Sequence, residues 1–245
     1  MRQHGGEGHA GRLKQLLLEN RAMQQAESAD PERLARLRDL QAWQCRRLQT
    51  SHADLAAEPR YAPGIAFFID DLYAPRDFSD RDADVEQAFP YMVRLLPERV
   101  LATAADAMHL QVLTRELDNR MVPALFDDLG VERIDPPTYA EAYRICDDFE
   151  ARREQIRLLE VLATRLEEYV HSRLLYTTLR MAHGPAKLLG LGELQTFLER
   201  GFSAFQHMRG SRHFVATIVE RENRYLERIE TGHDDPFQLP PDALA

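Results

Sequence analysis

The chain has 245 residues, of which 44% are hydrophobic and 29% charged, and it carries a formal net charge of −9 with a pI near 5.5. Such a chain is long enough for a substantial core. The acidic balance disfavours sequence-independent binding to nucleic acid and docking on an anionic membrane. No apolar run approaches the ~18 residues of a membrane span, and the first residues lack the apolar core typical of a signal peptide. Cys45 and Cys146 are too few for a disulfide framework. We therefore expect a cytoplasmic protein.

Strand signals are nearly absent, and the abundant Leu, Ala, Arg and Glu favour helix. Residues 1–29 are expected to form a disordered or marginally helical N-terminal tail. Asp30-Pro31-Glu32 is a helix start, and the helical domain is expected to span residues 30–231. Residues 232–245 are expected to form a loose C-terminal tail. The prediction is an all-α, single-domain, bundle-like fold of roughly seven to nine helices.

Residues 59–97 are expected to form two helices that meet at a proline corner. Pro63 suits a first helical turn, and the residue before Pro75 is pushed out of the helical region. On the first helix Ile65 and Phe68 share one face, whereas Phe67 lies opposite, between Asp70 and Asp71. A helix that is apolar on two sides is expected to be covered on two sides. Aspartates next to a desolvated surface need hydrogen-bonding or charged partners. The nearest arginines in sequence are Arg76, Arg81 and Arg94.

Periodicity and caps predict the remaining helices. A long helix is expected from Thr138, as N-cap in a capping box with Glu141, to about Ser172. A shorter one, 173–182, is expected to stop at His183-Gly184-Pro185. The span 193–208 carries a core-facing stripe, within which Gly201 indicates that another backbone approaches closely. A last helix is expected over 212–231.

The run Phe67-Phe68-Ile69-Asp70-Asp71-Leu72-Tyr73, with Pro75-Arg76-Asp77-Phe78-Ser79 after it, resembles the signature of a bacterial protein family named for its FFLEE or FFLEELY motif. Ile-Asp-Asp stands here where the motif has Leu-Glu-Glu, so the alternation of apolar and acidic residues is kept. The later runs 188–195 and 197–202 also resemble it. The resemblance would cover most of residues 35–230. It implies a helical architecture and brings no activity.

Metal chemistry in a helical bundle needs Glu and Glu-x-x-His motifs that project inward. The chain holds Glu168-x-x-His171 and the related Asp106-x-x-His109, but on a helical wheel both fall away from the apolar stripes. We expect surface residues there, and no metal or other cofactor is predicted.

Single acids on apolar seams are the other candidates. Glu222 lies between Ile218 and Leu226, and Glu160 and Glu167 border the stripe of the long helix. A structural ion pair is the simpler interpretation of a buried acid, and a site with a raised pKa is the alternative.

The corner of the 59–97 stretch supplies most of the candidate binding residues. We expect its acids and arginines to form a polar network that fixes the two helices, with Glu222 as a separate candidate. The candidate binding residues are Asp70, Asp71, Tyr73, Arg76, Asp77, Arg81, Asp82 and Glu222.

Two functions from different classes remain open, and no catalytic residue is predicted. One is a non-enzymatic interaction or adaptor module that contacts another protein or a second copy of itself through an exposed apolar patch. The other is a bundle whose internal pocket binds an apolar ligand or metal cofactor. That pocket would measure a few hundred Å³, with Glu222 or Glu160 as its polar contact. Its expected aromatic lining is Phe67, Phe68, Tyr73, Phe197 and Phe202.

Overall fold

The computed structural model of the chain describes residues 8–73 and 78–238, and gives the backbone alone at Tyr73 and at part of 173–185. The described residues form eleven α-helices, two π-helical segments and no strand. The α-helices are α1 (His9–Ser28), α2 (Pro31–Ser51), α3 (Ala53–Ala57), α4 (Ala62–Phe67), α5 (Ser79–Leu95), α6 (Glu98–Pro123), α7 (Pro136–Cys146), α8 (Phe149–Val170), α9 (Arg173–Leu188), α10 (Gly192–Met208) and α11 (Arg212–Glu230). The π-helical segments are Phe68–Tyr73 and Ala124–Asp128. The all-α prediction is confirmed, with a few helices more than the seven to nine expected.

The N-terminal segment differs from the tail expected over residues 1–29. Helix α1 packs along α6 because Leu13, Leu16 and Leu17 make an apolar stripe at helical spacing. All three are buried, and their neighbours include Met108 and Val112 of α6. Residues 9–28 are therefore an integral helix of the fold.

The first helix of the predicted corner is covered on two sides, as its apolar pattern indicates. Helix α4 carries Pro63 in its first turn and continues at Phe68 into a π-helical segment. On one side, Phe68 packs against Phe214 of α11, with ring centroids 5.9 Å apart. On the other side, Phe67 packs against Phe197 of α10, with centroids 5.4 Å apart. This short helix is thus wedged between the last two helices.

The long helix expected over 138–172 is two helices. Asp147 adopts the left-handed conformation, with φ of 51°, and ends α7. The predicted capping box was wrong in register, because Asp135 is the N-cap and accepts from Thr138 N at 2.9 Å. Asparagine and aspartate tolerate the left-handed region better than most residues, which makes Asp147 a natural break.

The stop predicted at 183–185 was also wrong, since α9 continues to Leu188. A proline removes one backbone donor from a helix interior. Here the last turn of α9 is stabilised by packing instead, because Ala186 is buried with Ala88 of α5 and Leu191.

The described part of the C-terminal segment lies against the domain. Phe237 packs on the ring of Trp43, at 5.9 Å between centroids, and on the ring of Tyr225, at 5.7 Å. Residues 232–238 thus differ from the loose tail expected over 232–245. Across residues 8–73 and 78–238, none of the helices is both long and apolar enough to cross a bilayer.

Candidate functional site

A cavity of about 90 Å³ lies among helices α2, α6, α7, α8 and α11. The π-helical segment after α4 also reaches it, through Phe68 and Ile69. A run of π-helix within an α-helix is frequent at functional sites. The wall of the cavity combines aliphatic side chains with an unusual number of buried polar and charged ones.

Glu222 of α11 anchors one side of the cavity. Arg47 Nη1 donates to Glu222 Oε1 at 2.5 Å, and His52 Nε2 lies 3.1 Å from the same oxygen. Burial opposes ionisation of Glu222, but the Arg47 charge and the hydrogen bonds from His52 and Arg47 outweigh it and lower its pKa to about 2. Burial likewise opposes the charge on Arg47, yet Glu222 raises the pKa of that guanidinium above its ordinary value. Glu222 is therefore a fixed counter-ion, as expected of a buried acid on this seam.

A second group joins α2, α6 and α7. Gln44 Nε2 donates to Asp118 Oδ1 at 2.9 Å and lies 3.3 Å from the Tyr139 hydroxyl. The Tyr139 hydroxyl donates in turn to the hydroxyl of Tyr143 at 3.2 Å. Burial raises the pKa of the Asp118 carboxyl, although Arg152 and the Gln44 hydrogen bond oppose this. Burial also raises the pKa of Tyr139 well above its ordinary value.

The third group lies on α8 and includes a buried arginine. Arg152 is only 6% exposed and lines the cavity. Its Nη1 donates to Gln155 Oε1 at 3.2 Å, and its Cζ lies 4.4 Å from the centroid of the Tyr143 ring. Gln155 Nε2 donates to Thr114 Oγ1 at 2.7 Å. Among the described residues Arg152 forms no ion pair, in contrast to Arg47.

Two nitrogens on the cavity wall also lack a hydrogen-bond partner within the described part of the chain. They are Arg47 Nε and His52 Nδ1, both buried. Buried donors and acceptors are normally satisfied, and each exception calls for an explanation. The cavity wall thus has hydrogen-bonding nitrogens that the described residues leave unsatisfied.

The candidate residues of the 59–97 corner form a separate polar group on the far side of α4. Asp71 is buried and pairs with Arg200 of α10 at 3.0 Å, whereas Asp70 is exposed and lies 3.5 Å from the same guanidinium. Arg81 Nη1 donates to the Asp71 carbonyl at 2.8 Å. The side chain of Tyr73, with Arg76 and Asp77, lies outside the described residues. Arg200, which the sequence interpretation missed, is distant in the chain and carries no local signal.

Arg81 connects this group to Asp82, which lies on α5 and contacts α1 and α6. Its Oδ2 accepts from Asn20 Nδ2 at 2.9 Å and from Gln111 Nε2 at 2.7 Å. Arg81 Nε lies 3.8 Å from Asp82 Oδ1, and Arg115 Nη2 lies 4.0 Å from Oδ2. Asp82 therefore holds α1 in place and is remote from the cavity.

The expected aromatic pocket was wrong in most particulars. Among the expected rings whose side chains are described, Phe68 borders the cavity and Phe67, Phe197 and Phe202 do not, while Glu222 lines it and Glu160 does not. Phe67 and Phe197 pack instead against each other in the core. The described cavity is also smaller than the few hundred Å³ expected.

The metal motifs do not assemble within the described residues. No group of three or more His, Cys, Asp or Glu side chains there could hold a metal ion. Asp106 accepts from Arg12 and from Arg165, each at 2.6 Å, and His109 Nδ1 lies 3.2 Å from Arg12. Just after α8, His171 Nδ1 lies 2.7 Å from the Glu167 carbonyl oxygen and 3.9 Å from Glu167 Oε1.

The cavity residues missed from sequence do carry a signal. Arg152, Gln155, Ile156 and Leu159 recur at helical spacing along α8 and all line the cavity. On α2, Gln44 follows Leu40 by one turn in the same way, with Arg47 one turn further on. Polar residues that continue an apolar stripe mark a buried polar site.

The profile of the family described as Domain of unknown function (DUF8198) matches residues 23–236. The match covers most of the chain, so the protein belongs to that family. No curated protein and no solved structure matches the chain. The resemblance to the FFLEE-motif family stays a prediction.

Proposed function

We propose that this member of the DUF8198 family is a binding protein that holds a small polar molecule in its central cavity. The observation that carries the proposal is Arg152, a buried guanidinium on the cavity wall with one hydrogen bond and no ion pair among the described residues. Burial of a charge is expensive unless the charge is paired. A bound molecule would supply the missing partner.

The size of the cavity limits the ligand. A cavity of about 90 Å³ has room for only a few water molecules. A ligand of roughly four to six non-hydrogen atoms is therefore favoured over a nucleotide or haem-like cofactor. This replaces the apolar or metal cofactor considered from sequence with a smaller and more polar occupant.

Two polar groups of the cavity, Glu222 and Tyr139, suit binding better than catalysis. Glu222 is held by Arg47 and His52, and its pKa of about 2 leaves it ionised across the neutral range. Tyr139 has a pKa raised well above its ordinary value and stays protonated there. An efficient general acid or base has a pKa near the working pH, so neither group suits proton transfer.

Native mass spectrometry of the purified protein, with ligand-observed NMR screening of small polar molecules, tests the proposal. We expect a bound low-mass species or a screening hit, and we expect Ile218→Phe to abolish it by filling the cavity. Ile145→Phe is the matched control, because Ile145 is exposed on α7. Absence of any bound species and of any hit would contradict the proposal, as would equal binding to the Ile218→Phe variant.

A second candidate function is self-association, which the exposed apolar side chains of α5 and of the turn after α9 favour. Tyr91 and Leu95 are exposed on one face of α5, and Leu188 and Leu189 are exposed beside it. Gln87 Nε2 donates to the Leu189 carbonyl at 2.6 Å, which brings the two groups together. We expect sedimentation velocity to show a dimer that Leu188→Glu dissociates. A monomer at all concentrations would contradict this candidate.

A cytoplasmic location is part of the same proposal. The described cysteines, Cys45 and Cys146, are both free thiols, which suits a reducing compartment. The net charge of −9 supports the expectation that nucleic acid is not the ligand. Fractionation of cells that express a tagged chain would test the location.

A further inference from the structure

The charges around the cavity are unequally paired. Glu222 is shared by Arg47 and His52 through its Oε1 oxygen. Asp118 faces Arg152 electrostatically but accepts its hydrogen bond from Gln44. Arg152 thus remains the cation with no carboxylate in contact among the described residues. A negatively charged group is the chemical partner that such a guanidinium lacks.

The setting of Arg152 determines which face of the guanidinium is available. Its plane is covered by the Tyr143 ring, at 4.4 Å from Cζ, and Nη1 is engaged by Gln155 at 3.2 Å. A guanidinium presents its N–H donors in a planar fork, which matches two oxygens of a carboxylate. Nε and Nη2 make no hydrogen bond to the described residues, and they are the two donors that a carboxylate could engage side by side.

The two carboxylates of the cavity limit the charge of the ligand. Asp118 and Glu222 both line the same space of about 90 Å³. Like charges at such short range repel strongly in a medium of low dielectric constant. Phosphate, which is partly doubly charged at pH 7, would be repelled by both of them, whereas a singly charged anion would gain the contact with Arg152 at a smaller electrostatic cost.

The cavity wall also carries aliphatic side chains. Leu159 of α8 lies one turn beyond Gln155, and Ile218 and Ile229 of α11 also border the space. Aliphatic walls favour an aliphatic ligand part by removing it from water. The ligand therefore combines one anionic end with a short hydrocarbon end.

We infer that the cavity binds a small aliphatic monocarboxylate, whose carboxylate Arg152 receives and whose hydrocarbon end lies against Leu159 and Ile218. This inference rests on the proposed function and names the chemical class of its ligand. The carboxylate takes the free edge of the Arg152 fork. Singly charged acids of three or four carbons match the available volume.

Isothermal titration calorimetry at pH 7 with propionate, its neutral isostere propionamide, and phosphate tests the ligand class. We expect propionate to bind at least tenfold more tightly than propionamide or phosphate. Side-chain amide resonances of Gln44 and Gln155 should shift in NMR spectra on addition of propionate, because both amides line the cavity.

Variants locate the binding at Arg152. Arg152→Gln and Arg152→Lys should each weaken propionate binding at least tenfold, the second because an ammonium lacks the planar fork. Arg157→Gln is the matched control on the same helix, since Arg157 pairs with Glu154 at the surface and should leave binding unchanged. Should an Arg152 variant fail to fold, the comparison of propionate with propionamide in the natural chain still decides the question.

The outcomes separate the two proposals. Equal affinity for propionate and propionamide would overturn the inference that the ligand is an anion. The proposal that the cavity binds a small polar molecule would still stand. Tighter binding of phosphate would overturn the carboxylate class. The carboxylate class would also be overturned if propionate did not bind while native mass spectra showed another low-mass ligand on the protein. Failure of every probe, with no bound species, would overturn the proposed function itself.

Discussion

The ring of Phe67 lies so close to Gly201 that a Cβ at position 201 would be 2.9 Å from Phe67 Cζ. Phe67 cannot easily turn away, because its ring packs on Phe197 at 5.4 Å between centroids. The glycine in the middle of α10 therefore makes room for an aromatic side chain. The close approach expected from sequence exists, but it is made by a ring and not by a backbone.

Gly201→Ala should destabilise the protein by about 1 kcal/mol. Overpacking typically costs about 1–3 kcal/mol, and alanine recovers about 1 kcal/mol of helix propensity. The midpoint of urea unfolding measures the change. In a Phe67→Leu background the same substitution should stabilise, since the clash is gone. A stabilising effect in the natural background would show that the contact is not strained.

The two acids of the corner should respond very differently to removal. The Asp71 side chain is 3% exposed and pairs with Arg200, whereas the Asp70 side chain is 56% exposed. Arg200 is itself 44% exposed, so the loss is that of a charge-assisted hydrogen bond, about 1–3 kcal/mol, and Asp71→Ala should lower the melting temperature by roughly 2–12 °C. Asp70→Ala should change stability by less than about 0.5 kcal/mol. Equal changes in the melting temperature of the two variants would contradict the finding that Arg200 pairs mainly with Asp71.

Glu222→Gln should cost about 3–5 kcal/mol at pH 7, because it leaves the buried Arg47 without its carboxylate. The pKa of Glu222 is lowered from 4.5 to about 2, so its stabilising contribution is present above pH 4.5 and is lost as the pH falls towards 2. The difference from the natural chain should therefore shrink between pH 5 and pH 3 in urea unfolding. Glu220→Gln is the control, since Glu220 is exposed and pairs only at the surface with Arg224. A difference independent of pH would contradict the pairing.

Asp118→Asn should change stability in the opposite direction and raise the free energy of unfolding at pH 7. Burial raises the pKa of Asp118, so its ionisation costs the folded state stability as the pH rises above the ordinary value of 3.8. Asparagine keeps an oxygen for the Gln44 hydrogen bond and removes the charge. We expect a gain of about 1 kcal/mol at pH 7 that disappears below pH 4, measured by urea unfolding. A loss of stability at pH 7 would show that Asp118 is needed as an anion beside Arg152.

Local patterns predict the helices well where apolar spacing is strong. The stripe over 193–208 corresponds to α10 (Gly192–Met208), and Pro63 and Phe67 behave as their positions indicate. The predictions were wrong where a local signal competes with packing, as at the 183–185 stop. At Asp147 a single residue in the left-handed conformation separates α7 from α8, which the apolar periodicity alone predicts to be one helix.

The cavity was harder to predict because its members come from separate helices. The apolar seam of α11 indicates Glu222, whereas no local pattern shows that Gln44, Arg47 and Arg152 meet it in space. Arginine is usually assigned to the surface, since it is rarely buried without a partner. Which guanidinium finds a carboxylate depends on tertiary contacts between residues far apart in the chain.

The hydrogen bond from Arg47 to Glu222 joins residues separated by 175 positions. Closing so long a stretch of chain is entropically costly and occurs late in folding relative to local helix formation. During synthesis the cavity cannot exist until the final helix has emerged and docked on the second. A chain truncated before α11 would lack Glu222 and Ile218 and with them one wall of the cavity, so the proposed ligand should bind only to the whole polypeptide.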